Sequence, residues 1–152
     1  MAIWKVPPSL PALQQRLEGT LAAHLDIVLE AAGNDWLKAS MPVDHRTLQP
    51  AGLLHGGASC VLAETLGSIA ATLCVDPERQ MCVGLDINAN HIRSARSGRV
   101  TGVTRPFHIG GKTQVWHIEI HDDENRLVCV SRLTMAVLDR PAVTVAGVSS
   151  AK

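Results

Sequence analysis

The spacing of hydrophobic residues changes along this chain, and each change marks a predicted element. Leucines recur at helical spacing in residues 9–19, where Ser9 stands just before the first of them as a helix-capping residue. Residues 26–43 contain two extended segments around Gly33, Asn34 and Asp35, a composition typical of a tight turn. The first part of the chain is therefore predicted to form a short helix followed by a β-hairpin.

A long apolar run with a single formal charge occupies the centre of the chain. After a loop at residues 45–54, residues 56–75 are rich in Ala, Leu, Gly and Ser, and only Glu64 is charged. We predict one helix here, which ends near Asp76 and Pro77 because proline cannot continue a helix. The run approaches the length that crosses a membrane, but its small polar residues and its central Glu64 favour the core of a soluble protein.

Four strands are predicted in the rest of the chain, and the third of them has the clearest pattern. It alternates strictly, which places Trp116 and Ile118 on the face opposite His117 and Glu119. The predicted strands cover residues 81–92, 98–109, 115–121 and 126–138, with a turn at 122–125 before the last. Residues 139–152 are small and polar, and we expect a frayed tail there, outside a single domain of residues 1–138.

The order of these elements predicts the fold. Strands joined by short connections must be antiparallel, which excludes a doubly wound parallel sheet. A helix that is apolar on nearly all sides needs a sheet curved around it, and its Gly and Ala residues let that sheet approach closely. We therefore predict an α+β fold in which a curved antiparallel sheet wraps around one long central helix.

Composition and charge narrow the range of functions. Fourteen basic residues balance 14 acidic ones and aromatic residues make up only 3%, so the sequence argues against binding to nucleic acid or to a membrane surface. The N-terminus does not have the pattern of a signal peptide. The four cysteines form no CxxC pair and lie among apolar residues, which predicts reduced thiols in a cytoplasmic protein. An apolar fraction of 46% indicates a buried subunit interface.

Glu64 is the first candidate for chemistry, because its carboxylate interrupts an otherwise apolar helix. Burying an ionised carboxylate is costly unless it is paired or protonated, so a chain that keeps one there usually has a use for it. Ser68 lies one helical turn further on the same face and can hydrogen-bond the carboxylate. Two interpretations remain open: a catalytic acid, base or nucleophile, and a structural partner of an arginine on the sheet.

The start of the same helix is the second candidate. Free backbone N–H groups and the positive end of the helix dipole meet at His55 and Gly56, where they could stabilise an oxyanion, although His55 could also serve only as a cap. Glu64 lies about 12 Å further along the helix axis, at about 1.5 Å per residue. One carbonyl cannot contact both positions within a single chain, so the spacing predicts an active site shared across a dimer.

Long segments around these candidates match a known family. They read QPAGLLHGGAS at 49–59, LAETLGS at 62–68, VGLDINANHIRSAR at 83–96 and QVWHIEI at 114–120. Over about residues 3–138 the chain resembles the PaaI-like hotdog-fold acyl-CoA thioesterases. The resemblance implies that a homo-oligomer, a dimer or a tetramer with shared active sites, hydrolyses an acyl-CoA without a metal or a cofactor.

The resemblance also implies a role for each matched residue. Glu64 would be the nucleophile or the general base, and the Gly56 N–H would polarise the thioester carbonyl. Gln49 and His55 would orient the substrate or water, and Ser68 would support the hydrolytic step. The residues expected to bind the nucleotide and pantetheine arm of CoA are Gly84, His91, Ile92, Arg93, Ser94, His108, Ile109, Gly110, Gly111, Lys112 and Thr113.

Other functions fit parts of the pattern. The same fold could bind an acyl-CoA without cleaving it, hydrolyse an acyl-carrier thioester, or dehydrate a hydroxyacyl chain. His117 and His121 share a strand face with Glu119, but about 13 Å between the two histidines is too far for one metal ion. The HGG sequence also occurs in α/β-hydrolases, whose GxSxG motif is absent here. The sequence leaves the acyl group open between aryl, naphthoyl and medium-chain groups.

Overall fold

A computed structural model describes residues 1–140 of the 152-residue chain, and within them the predicted α+β architecture is confirmed. A six-stranded antiparallel sheet carries one long helix on one face. The elements are α1 Leu10–Arg16, α2 Leu21–His24, β1 Val28–Ala32, β2 Leu37–Pro42, α3 Gly56–Leu73, β3 Gln80–His91, β4 Arg99–Ile109, β5 Thr113–His121 and β6 Leu127–Asp139.

Strand β3 lies at an edge of the sheet, away from the strand that follows it in the chain. The strand order is β1-β2-β4-β5-β6-β3, so β3 pairs with β6 and not with β4. All neighbouring strands are antiparallel, as predicted, but β3 and β4, which are consecutive in the chain, are not neighbours in the sheet. Strands β3 and β4 are three strand spacings apart, about 14 Å. The connection at 92–98 is long enough to span that distance, and it passes over the β5–β6 turn. At its far end the Arg99 N–H donates to the Asp123 carboxylate (3.0 Å).

The core lies between α3 and the concave face of the sheet. The alternation predicted for β5 is confirmed, since Trp116, Ile118 and Ile120 are fully buried. Gly67 brings the helix close to β6, because a Cβ at this position would come within 2.5 Å of a Leu133 methyl carbon. Helix α3 is long and apolar enough to span a membrane by length and composition, but half of it is buried inside the protein, as expected of a core helix.

The outer face of α3 is only partly covered. Glu64 is exposed, and its neighbours Val61, Thr65, Ser68 and Ile69 are half-buried. The sheet thus wraps one side of the helix, while α1 and the unpredicted single turn α2 lie near the other. This open face is where the candidate chemistry lies.

The ends of several elements differ slightly from the predicted ones. Ser9 occupies the N-cap of α1, but its side chain makes no capping hydrogen bond within the described part of the chain. Helix α3 ends at Leu73, where Cys74 is the C-cap. Strand β6 reaches Asp139, and the Arg140 N–H donates to the Arg79 carbonyl (2.7 Å). The rest of the predicted tail lies outside the described residues.

Candidate active site

The N-terminus of α3 is capped by the side chain of His55. Its Nδ1 accepts a hydrogen bond from the Gly57 N–H (2.8 Å), so the capping role left open by the sequence is the observed one. A ring that accepts at Nδ1 carries its proton on Nε2, which leaves a donor free for another group. The Gly56 N–H has no acceptor among residues 1–140. A side chain at Gly56 would collide with His91, whose Nε2 is 2.6 Å from the position of a Cβ.

Gln49 lies in a loop that folds back in front of this helix terminus. Its backbone N–H donates to the Leu53 carbonyl and its own carbonyl accepts from Gly52, both at 2.8 Å, while its side chain accepts from the Ala51 N–H. The loop and the end of β3 enclose a cavity of about 200 Å³, which we call the N-terminal cleft. It is lined by Gln49, Leu53, Leu54, Ser59, His91, Ile92, Arg93, Ser94 and Val128.

Glu64 projects from the open face of α3 and reaches the edge of the sheet. Its Oε1 lies 2.8 Å from the position that a Cβ on Gly84 would occupy. The predicted burial of this carboxylate is wrong for the single chain, because β3 is an edge strand and the outer face of α3 is uncovered. No ion pair between Glu64 and an arginine occurs in the described region, so the structural alternative has no support there.

Ser68 lies one turn beyond Glu64 and contacts the same part of the sheet. Its Oγ is 3.9 Å from Met135 Sδ, and Met135 is the register partner of Gly84. The predicted bond from Ser68 to the carboxylate is not formed within residues 1–140. Both side chains instead line an open, mainly apolar groove of about 400 Å³, the outer-helix groove. Its lining comprises Leu17, Thr20, Leu21, Ala22, Val61, Glu64, Thr65, Ser68 and Ile69.

Cys60 precedes Glu64 by one turn but is not poised as a nucleophile. Burial raises the pKa of its thiol, and the neighbouring Glu64 carboxylate raises it further, so the sulfur stays protonated. All four cysteines are free thiols. Among residues 1–140 no group of three or more His, Cys, Asp or Glu side chains is arranged to hold a metal ion. Glu64 is the one charged side chain among the described residues that line the outer-helix groove.

The β4–β5 hairpin is the third set of predicted binding residues. It contains His108, Ile109, Gly110, Gly111, Lys112 and Thr113, and the Gly110 N–H closes its turn on the Thr113 carbonyl (2.9 Å). Thr113 pairs with Ala136 and Ala136 with Val83, so the hairpin lies at the Gly84 end of the sheet. His91 pairs with Cys129 towards the other end.

One copy of the chain thus forms three separate parts of the predicted site. Gln49 meets the 91–94 segment in the N-terminal cleft, and Glu64 lies against Gly84 and lines the outer-helix groove with Ser68. The hairpin lines neither cavity. Sequence reasoning missed Thr20 and Leu21 on the groove wall. They belong to the short α2 region, and one helical turn is too short to give a periodic signal.

Comparison with known proteins connects this arrangement to a family. The family model of the thioesterase superfamily matches residues 51–129, which include helix α3 and strand β3. The chain belongs to the thioesterase superfamily. It is 57% identical over 136 residues to 1,4-dihydroxy-2-naphthoyl-CoA hydrolase of Escherichia coli, covering 90% of this chain and 99% of that protein.

Two further relatives of this thioesterase cover nearly the whole described chain. The proofreading thioesterase EntH of Cronobacter sakazakii is 49% identical over 136 residues, which are 90% of this chain and 98% of that protein. The crystal structure of a glutamine-to-alanine mutant of a Pseudomonas aeruginosa thioesterase superposes with a TM-score of 0.90 at 50% identity, covering 91% and 100% of the two chains. The hotdog fold and the class of thioester hydrolase expected from the sequence are confirmed.

Proposed function

We propose that this thioesterase hydrolyses an acyl-CoA with an aryl or naphthoyl acyl group, giving the free acid and CoA. The observation that carries the proposal is the exposed Glu64 carboxylate at the rim of a mainly apolar groove. A groove of about 400 Å³ can accept a planar ring system. The thioester carbonyl attached to a ring bound there would lie close to the Glu64 carboxylate. The relative named as a naphthoyl-CoA hydrolase supports the choice of acyl group.

The reaction needs one attacking oxygen and one stabilised oxyanion. As a nucleophile, Glu64 would add to the thioester carbonyl and expel the CoA thiolate, and water would then cleave the resulting anhydride. As a general base, it would take a proton from water as that water attacks the carbonyl directly. In both routes the Gly56 N–H and the positive end of the α3 dipole stabilise the charge that develops on the carbonyl oxygen.

The other predicted site residues would orient the reactants or bind the rest of the substrate. The His55 ring can donate from Nε2 because its Nδ1 is occupied by the cap. Together with Gln49 it would orient the carbonyl or the attacking water, and Ser68 would assist hydrolysis beside Glu64. The N-terminal cleft, with His91, Ile92, Arg93 and Ser94, and the β4–β5 hairpin would hold the CoA moiety.

The complete site would require two copies of the chain. Gly56 lies against His91 and Glu64 lies against Gly84, at separated positions along β3. The helical rise between Gly56 and Glu64 is about 12 Å, too long for one carbonyl to contact both. Pairing of two β3 edges would bring the Glu64 of one copy towards the Gly56 of the other. We accordingly propose a cytoplasmic homodimer that associates further into a tetramer.

A second candidate substrate is an acyl group on a carrier protein, because another relative is named as a proofreading thioesterase. Aryl-CoA, naphthoyl-CoA and alkyl-CoA thioesters, and the same acyl groups on a carrier protein, should be compared by release of free thiol. Binding without thiol release from any of them would favour a non-catalytic module, and formation of an enoyl product from a hydroxyacyl-CoA would favour a dehydratase.

The assignment of Glu64 is tested by Glu64→Gln, which keeps the shape of the side chain and removes its charge. We expect kcat to fall by about 10²–10⁴-fold, the usual contribution of a general base. The matched control is Glu18→Gln, the same change at an exposed position outside both cavities, which should leave turnover unchanged. If Glu64→Gln keeps more than about a tenth of wild-type turnover, a loss of only 1.4 kcal/mol, then Glu64 is not the catalytic carboxylate.

A further inference from the structure

The sheet edge opposite Glu64 lacks a side chain at the position that the carboxylate occupies. A Cβ built on Gly84 would lie 2.8 Å from Glu64 Oε1 and 3.9 Å from its Cδ. Within 4 Å it would meet no other group of the described chain beyond its own neighbours. The space left by the missing side chain is therefore filled by the Glu64 carboxyl group.

The backbone at Gly84 does not itself require glycine. Its φ lies outside the left-handed region, unlike those of Gly19, Gly52 and Gly98. Any residue could adopt this strand conformation without strain. The glycine is thus explained by the space it leaves and not by its conformational freedom.

A β-bulge follows immediately and changes the course of the edge strand at this point. Gly84 pairs with Met135 and Asp86 with Thr134, so Leu85 is an extra residue without a partner on β6. Its side chain is exposed. Bulges bend a strand and redirect its side chains, and they are frequent next to active sites. Two independent features of β3, the glycine and the bulge, thus coincide where Glu64 meets the sheet.

We propose that Gly84 is a positioning residue for the Glu64 carboxylate. The inference rests on the proposed function of Glu64, and it gives Gly84 a role different from the CoA contact that the family resemblance implies. By leaving room at the edge of β3, Gly84 lets the carboxylate lie between α3 and the sheet at the rim of the outer-helix groove. A methyl group there would push the carboxylate away, and displacement of a reacting group by about 1 Å can cost about 100-fold in rate.

Gly84→Ala is the direct test, with turnover and stability measured on the same protein. We expect kcat to fall by about 10-fold or more while KM changes by less than about 2-fold, because the acyl-CoA contacts remain. The unfolding temperature should stay within the error of the wild type, since the displaced atom is the far end of a flexible side chain. Gly67→Ala provides the contrast: its Cβ would meet the buried Leu133, so it should lower the unfolding temperature.

A double-mutant cycle with Glu64→Asp separates positioning from substrate contact. Aspartate is shorter by one methylene and withdraws from Gly84, so the added Gly84→Ala should then change kcat by less than about 2-fold. Equal kcat losses in both backgrounds, or a loss confined to KM, would overturn the proposal and indicate that Gly84 contacts the substrate.

The remaining outcomes also decide the question. If Gly84→Ala fails to fold alone but folds when combined with Glu64→Asp, crowding by the carboxylate is demonstrated. If it fails to fold in both backgrounds, Gly84 is structural and the proposal is wrong. If Glu64→Gln is inactive while Gly84→Ala is fully active, the proposed function stands and the positioning role does not. If the wild-type protein releases no thiol from any thioester, the proposed function itself fails.

Discussion

At the scale of single residues, Arg93 is the cation that we expect to bind a phosphate of the proposed substrate. It lines the N-terminal cleft beside Gln49 and His91, and it is exposed. Its guanidinium forms no ion pair with any residue that the structure describes, whereas Arg46, Arg99 and Arg105 all pair with aspartates. A guanidinium without a carboxylate partner can make bidentate contacts with a phosphate group.

Arg93→Ala should therefore raise KM for CoA thioesters by about 10-fold and leave kcat within about 2-fold, because a contact remote from the carbonyl contributes uniform binding. The same acyl group on pantetheine lacks the nucleotide, and its KM should hardly change. Steady-state kinetics give kcat and KM on both substrates. The control is Arg79→Ala, at an arginine that is 85% exposed and lies outside the cleft. Equal losses on the two substrates would show that Arg93 is structural.

At the scale of the elements, α3 carries both Gly56 and Glu64 of the proposed site, and its N-terminus is capped by one side chain. His55 accepts from the Gly57 N–H, which would otherwise lack an intrahelical partner. A ring held by this bond carries its proton on Nε2. The same imidazole would thus serve both the stability of this terminus and the chemistry proposed there.

We expect His55→Ala to lower the free energy of unfolding by about 1 kcal/mol, the usual cost of removing an N-cap. His55→Asn should restore most of this loss, since asparagine is among the strongest N-cap residues, but it should not restore kcat. Urea unfolding and thiol release measured on both variants separate the two roles. Similar destabilisation by Ala and Asn would mean that the cap does not stabilise the helix.

Sequence patterns predicted the helices and strands better than they predicted which strands lie side by side in the sheet. The alternation around Trp116 and the apolar run from Gly56 depend only on local periodicity, and both elements formed as expected. The pairing of β3 with β6 could not be predicted, because the connection at 92–98 carries no signal that two strands, β5 and β6, lie between β3 and β4. The exposure of Glu64 follows from that topology: a helical pattern shows which residues share a face, but not whether anything covers it.

At the scale of the whole molecule, an open sheet edge lies beside the candidate carboxylate. Strand β3 pairs on one side only within the described sheet, and Met81 and Leu85 on it are exposed. Unpaired edges with apolar side chains readily accept another strand. A second copy at this edge would supply the parts of the site that one chain keeps apart.

Mixing two inactive variants should test this arrangement. Glu64→Ala removes the carboxylate and Gln49→Ala removes a polar group of the N-terminal cleft, so each parent should be nearly inactive. If sites are shared, each heterodimer should regain about half the wild-type activity, because two-fold symmetry gives it two sites and one is intact. Subunit exchange is followed by native mass spectrometry. Exchange without recovered activity would show that a single chain supplies both groups.

The position of β3 in the sheet also has a consequence for biosynthesis. A ribosome completes β3 well before β6, and β6 is its sole neighbour in the described sheet. Until then the strand that carries Gly84 lacks its partner within the described sheet, and an isolated strand is unstable in water. Glu64 and Gly84 can be brought together only once nearly all of residues 1–140 have been translated. If Glu64 is the catalytic carboxylate, a nascent chain that lacks β6 should not cleave a thioester, because β6, the last strand of residues 1–140, completes the proposed site.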